Sequence, residues 1–136
     1  MTENIIVDTS VWVDFYNGIA NEAVDILKSI MLTDIIVIPP IIVQEILQGI
    51  KGTKLLSVVE DSILGFQFLN YDAYDAAFEA AALYRLLRSK GVTVRSSNDC
   101  LIAWLCLANN ISIHHNDKDF DNIAKHTSLK IYKINQ

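Results

Sequence analysis

Residues 4–12, NIIVDTSVW, decide how the chain folds. Three apolar residues follow Asn4 without a polar interruption, which is typical of a strand covered on both faces by helices. Asp8 ends this run, and a helix is expected to start at Ser10. A second apolar run, Ile35 to Ile38, indicates another buried strand. Buried strands of this kind, separated by helices, predict an α/β layered domain with a mainly parallel sheet.

The same alternation continues along the chain. Further β-branched runs predict strands at Gly65 to Leu69 and Ile111 to His114, with Lys130 to Ile134 as a candidate fifth. Helical periodicity predicts helices over about Thr53 to Ile63, Asp72 to Lys90 and Ser97 to Asn109, and a further helix that starts at Pro39 and Pro40 and carries Glu45. We therefore expect one domain over residues 1–136, with a sheet of four to five strands.

Local signals support two of these helices. Asp72 is suited to cap the first of them, and Gly91 is suited to end it. The helix that starts at Ser97 is almost wholly apolar beyond its first turn, so we expect it to be buried. Its two cysteines, Cys100 and Cys106, lack the two-residue spacing of redox or zinc pairs and are predicted to be buried free thiols.

The amino-acid composition is that of a folded globular protein with an acidic net charge. The chain has 136 residues, of which 51% are hydrophobic and 20% charged, which excludes a disordered or fibrous protein. Lys and Arg total 11 against 16 Asp and Glu, and this net charge of −5 argues against a generally basic nucleic-acid binder, although not against a local basic groove. The opening MTENIIVDTSVW does not resemble a signal peptide, and the longest uncharged stretch is too short to cross a bilayer, so we expect a cytoplasmic protein.

Acidic residues occupy the places where an α/β sheet usually forms its site, beyond the carboxyl ends of the strands. Asp8 follows the first strand, the second strand leads to Glu45, and the strand ending in His114 leads to Asp117 and Asp119. Asp99 lies in the first turn of the buried helix. The topology could bring all of these carboxylates to one edge of the sheet.

Each acid also has a structural explanation. Asp8 could cap a helix, Asp99 could complement a helix dipole, and Asp117 and Asp119 could be turn residues. Glu45 is harder to explain in this way, because a lone carboxylate among apolar neighbours is costly to desolvate. Together the acids would repel one another, and Mg²⁺ or Mn²⁺ would relieve that repulsion. Such a cluster suits metal-assisted hydrolysis of a phosphodiester.

Adjacent histidines suggest an alternative. His114 and His115 could indicate zinc or general-base chemistry. Neighbouring residues on a strand point to opposite faces, so both cannot readily bind one ion. We therefore expect at least one histidine in the core, while the other could line the site.

Four motifs in this order resemble those of the PIN-domain family, and specifically the VapC-type toxin ribonucleases of toxin–antitoxin pairs. The motifs are IIVDTSVWVDF (5–15), IIVQEILQG (41–49), SSNDCLIAWLC (96–106) and HHNDKDFDNIA (114–124). The resemblance covers almost the whole chain. It implies a three-layer α/β/α domain and a metal-dependent endoribonuclease that inhibits translation and growth.

Carried onto this chain, the resemblance implies a quartet of acids that holds Mg²⁺ or Mn²⁺: Asp8, Glu45, Asp99 and Asp117. Asp119 would be an additional acid near the metal or its waters, and Ser10 would position a water or shape the site. His115 stands where the family often has threonine, which leaves the water contacts of the last motif open and could place an imidazole near the scissile phosphate.

The resemblance also implies a homodimer and a VapB-type antitoxin that inhibits cleavage and forms a higher-order complex. Apolar residues at Leu55, Leu56, Val59 and Ile63 offer a contact surface, with packing in the core as the alternative. The densest basic group could contact RNA phosphates or an acidic antitoxin segment, or complement a helix dipole: Arg85, Arg88, Lys90 and Arg95.

The sequence is also compatible with two other functions. A non-catalytic module of the same fold would bind RNA or a partner without cleaving. An aspartyl-phosphate enzyme is less well supported, because DTSVW lacks a second aspartate two residues after Asp8. The sequence does not specify the RNA, so transfer, ribosomal and messenger RNA are all alternatives.

Overall fold

A computed structural model describes residues 2–133 of the chain. Its strands are β1 (Asn4–Val7), β2 (Ile35–Ile38), β3 (Gln67–Phe68) and β4 (Ser112–His114). Its helices, in chain order, are α1 (Thr9–Tyr16), α2 (Glu22–Thr33), α3 (Pro40–Gly49), α4 (Thr53–Ile63), α5 (Ala73–Ser89), α6 (Ser97–Asn109) and α7 (Lys118–His126).

The strands form one sheet in the order β3-β2-β1-β4, and all neighbouring pairs are parallel. This confirms the predicted α/β class. β1 and β2 have the predicted bounds, whereas β3 is reduced to two residues at the exposed edge of the sheet. Of the candidate fifth strand, Ile131 makes a single parallel bridge to Ile113, and Ile134 lies outside the described residues.

The strand order explains why helices lie on both faces of the sheet. β1, β2 and β3 advance toward one edge, and β4 then returns to the other side of β1. Because crossovers between parallel strands are right-handed, the reversal moves the connecting helices to the opposite face. Accordingly, α1 contacts α2 and α3, and α3 contacts α4, whereas α6 contacts α5 and α7. Helices therefore flank the central sheet.

The core lies between these layers. Ile5 and Ile6 of β1 are fully buried, as expected for the continuous apolar run that opens the chain. The predicted burial of α6 is confirmed, and Cys100 and Cys106 are buried free thiols. Asp72 caps α5 by accepting a hydrogen bond from the Asp75 amide at 2.9 Å. Among the described helices, none combines the length and apolarity needed to cross a membrane.

Two of the apolar α4 residues considered as a contact surface belong to the core. Val59 and Ile63 are buried, and Leu55 packs against the core. Their spacing of four residues places Val59 and Ile63 on the face of α4 that turns inward. The alternative of core packing is therefore correct for these two positions. Val58 and Leu64 are exposed instead.

Close packing of α1 against α3 depends on Gly49. A Cβ atom at this position would lie 2.8 Å from Val13 Cγ2 and 3.3 Å from Val13 Cγ1. Such distances are too short, so any larger residue would push the two helices apart. This matters for the site, because α1 begins directly after Asp8 and α3 carries Glu45.

We expect Gly49→Ala to lower the free energy of unfolding by about 1–2 kcal/mol through overpacking. Urea unfolding followed by circular dichroism measures this change. Val13→Ala removes the methyl groups that the new Cβ would contact. The double variant should therefore lose less unfolding free energy than the two single variants lose in sum. Additive effects would show that the contact does not limit packing here.

Candidate active site

The site forms where the strand order reverses. β1 lies between β2 and β4, and ligands of open α/β sheets bind at such a switch point, beyond the carboxyl ends of the strands. The Asp8 amide donates to the His114 carbonyl oxygen at 2.9 Å, which holds the ends of β1 and β4 together. The acid after β1 and the acids after β4 are therefore neighbours.

Asp8 is 6% exposed. It occupies the N-cap position of α1, but its side chain makes no capping hydrogen bond. Its Oδ2 instead accepts from Ser10 Oγ at 2.8 Å. Burial raises the pKa of Asp8 above its ordinary value, and the hydrogen bond from Ser10 only partly offsets this effect. The backbone amides of Thr9 and Ser10 at the start of α1 also lower the pKa of Asp8, without offsetting the effect of burial.

Glu45 joins three helices at the site. Its Oε1 accepts from Thr9 Oγ1 of α1 at 2.9 Å, and its Oε2 accepts from Asn98 Nδ2 of α6 at 3.4 Å. Sequence reasoning missed Thr9 and Asn98, although each directly adjoins a candidate acid, Asp8 or Asp99, along the chain. A polar neighbour of a site acid is the signal that could have identified them.

Asp99 lies at the centre of the cluster. Carboxylate oxygens of Asp99, Asp117 and Asp119 lie within 4.8 Å of one another, close enough to hold one metal ion. Burial raises the pKa of Asp99 to about 7, with further contributions from the charges of these two acids and of Asp8 and Glu45. The other four predicted acids thus all raise the pKa of Asp99.

Asp117 and Asp119 are positioned by the start of α7. Asp117 is the N-cap, and its Oδ1 accepts from the Asp119 amide at 3.0 Å. Asp119 is 6% exposed and belongs to the tight three-acid group. This position is compatible with the acid near the metal or its waters that the family resemblance implies, and the role stays a prediction.

Arg95 lies against these two acids rather than with the rest of the basic group. Its Nη2 is 3.0 Å from Asp117 Oδ1, and its Nε is 3.3 Å from Asp119 Oδ2. The other basic residues, Arg85, Arg88 and Lys90, lie exposed at the end of α5. A contact of these residues with RNA or a partner stays a prediction.

The two histidines have different surroundings. His114 is buried, and its Nε2 lies 2.8 Å from the Ala23 carbonyl oxygen. Burial lowers the pKa of His114, so it is a neutral core residue. His115 Nδ1 accepts from the Asp117 amide at 3.0 Å, while its Nε2 lies 3.1 Å from Asp121 Oδ1. His115 therefore orients the loop that carries Asp117.

The charges at the site favour a divalent cation. Among the described residues, no Lys, Arg or His nitrogen lies within 4.0 Å of the carboxylates of Asp8, Glu45 or Asp99. Buried carboxylates without a cationic partner are costly, and their oxygens are the hard ligands that Mg²⁺ and Mn²⁺ prefer. The donor set therefore fits such an ion.

The chain matches a known protein family over most of its length. The family model described as PIN domain matches residues 5–126. The chain is 36% identical over 129 residues to VapC ribonuclease Mb1587 of Mycobacterium bovis, covering 93% of this chain and 96% of that protein. It has the same identity and coverage with ribonuclease VapC11 of Mycobacterium tuberculosis.

Solved structures share the fold. VapBC2 from Rickettsia felis, bound to a promoter DNA fragment, matches with a TM-score of 0.74 at 21% identity, covering 95% of this chain and 97% of that one. DNA-bound VapBC from Salmonella typhimurium matches with a TM-score of 0.69 at 22% identity, covering 97% and 98%.

The chain belongs to the PIN domain family. Within that family it is similar to VapC ribonucleases along nearly its whole length. The family that the four acidic motifs indicated is thereby confirmed.

The raised pKa of Asp99 predicts how pH affects stability without metal. Between pH 3.8 and about 7, folded Asp99 retains a proton that the unfolded chain has lost, so stability falls as pH rises through this range. Asp99→Asn removes this pH-dependent loss of stability, because asparagine carries no titrating carboxyl group. We expect the variant to be more stable than the wild type at pH 8, by about 1–2 kcal/mol after solvent screening is considered.

Urea unfolding at several pH values, with a chelator present, measures this difference. Asp61→Asn is the matched control, because Asp61 is an exposed acid on α4. If Asp99→Asn were less stable than the wild type at pH 8, the carboxylate would not be destabilising the fold.

Proposed function

We propose that this protein is a divalent-metal-dependent endoribonuclease, the toxin component of a VapBC-type toxin–antitoxin pair, which hydrolyses RNA phosphodiester bonds and so inhibits translation and growth. One observation carries the proposal: five carboxylates from four separate segments of the chain lie together at the switch point. Three of them have no basic partner within ion-pair distance among the described residues. The similarity to VapC ribonucleases supports the same activity.

In this proposal all five acids of the site hold Mg²⁺ or Mn²⁺: Asp8, Glu45, Asp99, Asp117 and Asp119. Three of them, Asp99, Asp117 and Asp119, have carboxylate oxygens within 4.8 Å of one another, which supports this assignment. A bound ion supplies Lewis-acid polarisation of the phosphate and lowers the pKa of a coordinated water. The hydroxyl of Ser10 orients the Asp8 carboxylate, and Thr9 and Asn98 orient Glu45. The donor set explains why no serine or cysteine nucleophile is required.

His115 has a positioning role in this proposal. Its Nδ1 accepts from the Asp117 amide, and its Nε2 faces Asp121. Both ring nitrogens are thus engaged by the loop and by α7. His115 acts on the reaction through Asp117, which it holds at the start of that helix.

Removal of a site acid tests the activity. Loss of a group that merely supports a metal ligand typically costs 10–100-fold, so we expect Asp8→Asn to reduce Mg²⁺-dependent RNA cleavage by about 100-fold or more. Cleavage of total RNA by the purified protein is measured on gels, with Asp61→Asn as the control.

Undiminished cleavage by Asp8→Asn would contradict the mechanism. Wild-type protein that binds RNA but does not cleave it with Mg²⁺ or Mn²⁺ would favour the non-catalytic module. Sequencing of RNA ends after induced expression would identify the substrate.

We further propose a homodimer and a VapB-type antitoxin as partners, in the cytoplasm. Support for the antitoxin comes from the solved VapBC assemblies that share this fold. Support for the dimer comes from α5, where Tyr74 and Phe78 are 81% and 77% exposed and share one helix face. A neighbouring reading frame that encodes a small antitoxin would support the pairing.

The α5 surface can be tested by introducing charge. We expect the Tyr74→Asp, Phe78→Asp double variant to be a monomer at concentrations where the wild type is a dimer, because buried carboxylates would face each other without partners. Light scattering measures the mass. Leu32→Asp on α2, where Leu32 is 88% exposed, is the control. A double variant that remains dimeric would place the interface elsewhere.

A further inference from the structure

Arg95 is the basic residue built into the acidic cluster. It lies in the segment between α5 and α6, and its guanidinium contacts both acids at the start of α7: Nη2 to Asp117 Oδ1 at 3.0 Å and Nε to Asp119 Oδ2 at 3.3 Å. The Arg95 side chain is 74% exposed, so it approaches the cluster from the solvent side. It has room to leave without disturbing the core.

The Arg95 guanidinium and a divalent ion would bind the same carboxylates. Asp117 and Asp119 belong, with Asp99, to the group of carboxylates close enough to share one ion. Within residues 2–133, Arg95 supplies the one basic side chain within 4.0 Å of any of the five acids. Its pairing lowers the repulsion in the cluster when no ion is present.

The positions of the two acids do not depend on the guanidinium. The Asp117 side chain accepts from the Asp119 amide at 3.0 Å, and the Asp117 amide donates to His115 Nδ1 at the same distance. Asp119 Oδ2 also accepts from the backbone amide of Arg95 at 3.2 Å. A substitution that removes only the guanidinium therefore changes the charge of the cluster while these contacts remain.

We propose that Arg95 is an exchangeable cation: its guanidinium neutralises Asp117 and Asp119 in the metal-free protein and is displaced from them when Mg²⁺ or Mn²⁺ binds. This rests on the proposed metal dependence. Because the ion has to displace a charge already in place, the arginine weakens the metal affinity of its own site and stabilises the metal-free fold. Arg95 is thus a counter-ion of Asp117 and Asp119 in the metal-free protein rather than a metal ligand.

Calorimetric titration with Mn²⁺ alone, without RNA, tests the proposal. We expect Arg95→Gln to bind Mn²⁺ about 5-fold more tightly than the wild type, the size of an exposed ion-pair effect. Arg95→Lys retains the charge and should stay within about 2-fold of the wild type. Lys28→Gln, which removes one positive charge from the exposed face of α2, is the control and should leave the affinity unchanged.

Thermal unfolding distinguishes neutralisation of the acids by Arg95 from a purely structural role of this residue. We expect Arg95→Gln to lower the melting temperature in chelator but to leave it unchanged at saturating Mn²⁺, because the guanidinium has left the acids in the loaded protein. A merely structural role would lower both values. Circular dichroism verifies that each variant folds.

The outcomes distinguish the two proposals. Wild-type protein that does not bind Mn²⁺ would overturn the metal dependence of the proposed function. Wild-type binding with equal or weaker affinity in Arg95→Gln would overturn the exchange of Arg95 and leave the metal site intact.

Discussion

The repulsion among carboxylates at one edge of a parallel sheet is the constraint on which the rest of the structure depends. Asp99 experiences it most strongly, since burial and four neighbouring acids together raise its pKa to about 7. A fold organised only for stability would not gather these carboxylates in buried and half-buried positions. The surrounding core must be stable enough to hold them, and the apolar strands β1, β2 and β4 with the buried helix α6 provide that stability.

Several hydrogen bonds that hold the site together join parts of the chain that are distant in sequence. Glu45 connects α3 to α1 and α6 through Thr9 and Asn98. The end of β1 is held to the end of β4 by a backbone hydrogen bond. The geometry of the site is therefore a property of the whole fold. A larger residue at Gly49 would disturb the packing of α3, which carries Glu45, against α1, which follows Asp8.

Much of this arrangement could be predicted from the sequence. Periodicity and capping residues located β1, β2, α4 and α6 at their observed bounds, because buried apolar runs and helix ends carry strong local signals. The acids were identified from their places after strands. Their individual roles stay predictions, although the structure brings all five together.

Other features could not be predicted, because they depend on tertiary contacts. The pairing of Arg95 with Asp117 and Asp119 joins residues more than twenty positions apart, and a basic residue near a helix end gives no sign of such a partner. β3 is shorter than its β-branched run suggests, since pairing with β2 and not propensity sets its length. The inward face of α4 likewise depends on packing.

The short β3 has a consequence for assembly. With only two residues, it offers few backbone groups to another strand, and the opposite side of the sheet is partly covered where Ile113 exchanges hydrogen bonds with the backbone of Lys130 and Tyr132. Neither edge is a good template for adding a strand from another molecule. A sheet with two such edges favours assembly through helix faces, which select a partner by side-chain shape and charge, over pairing of backbone strands.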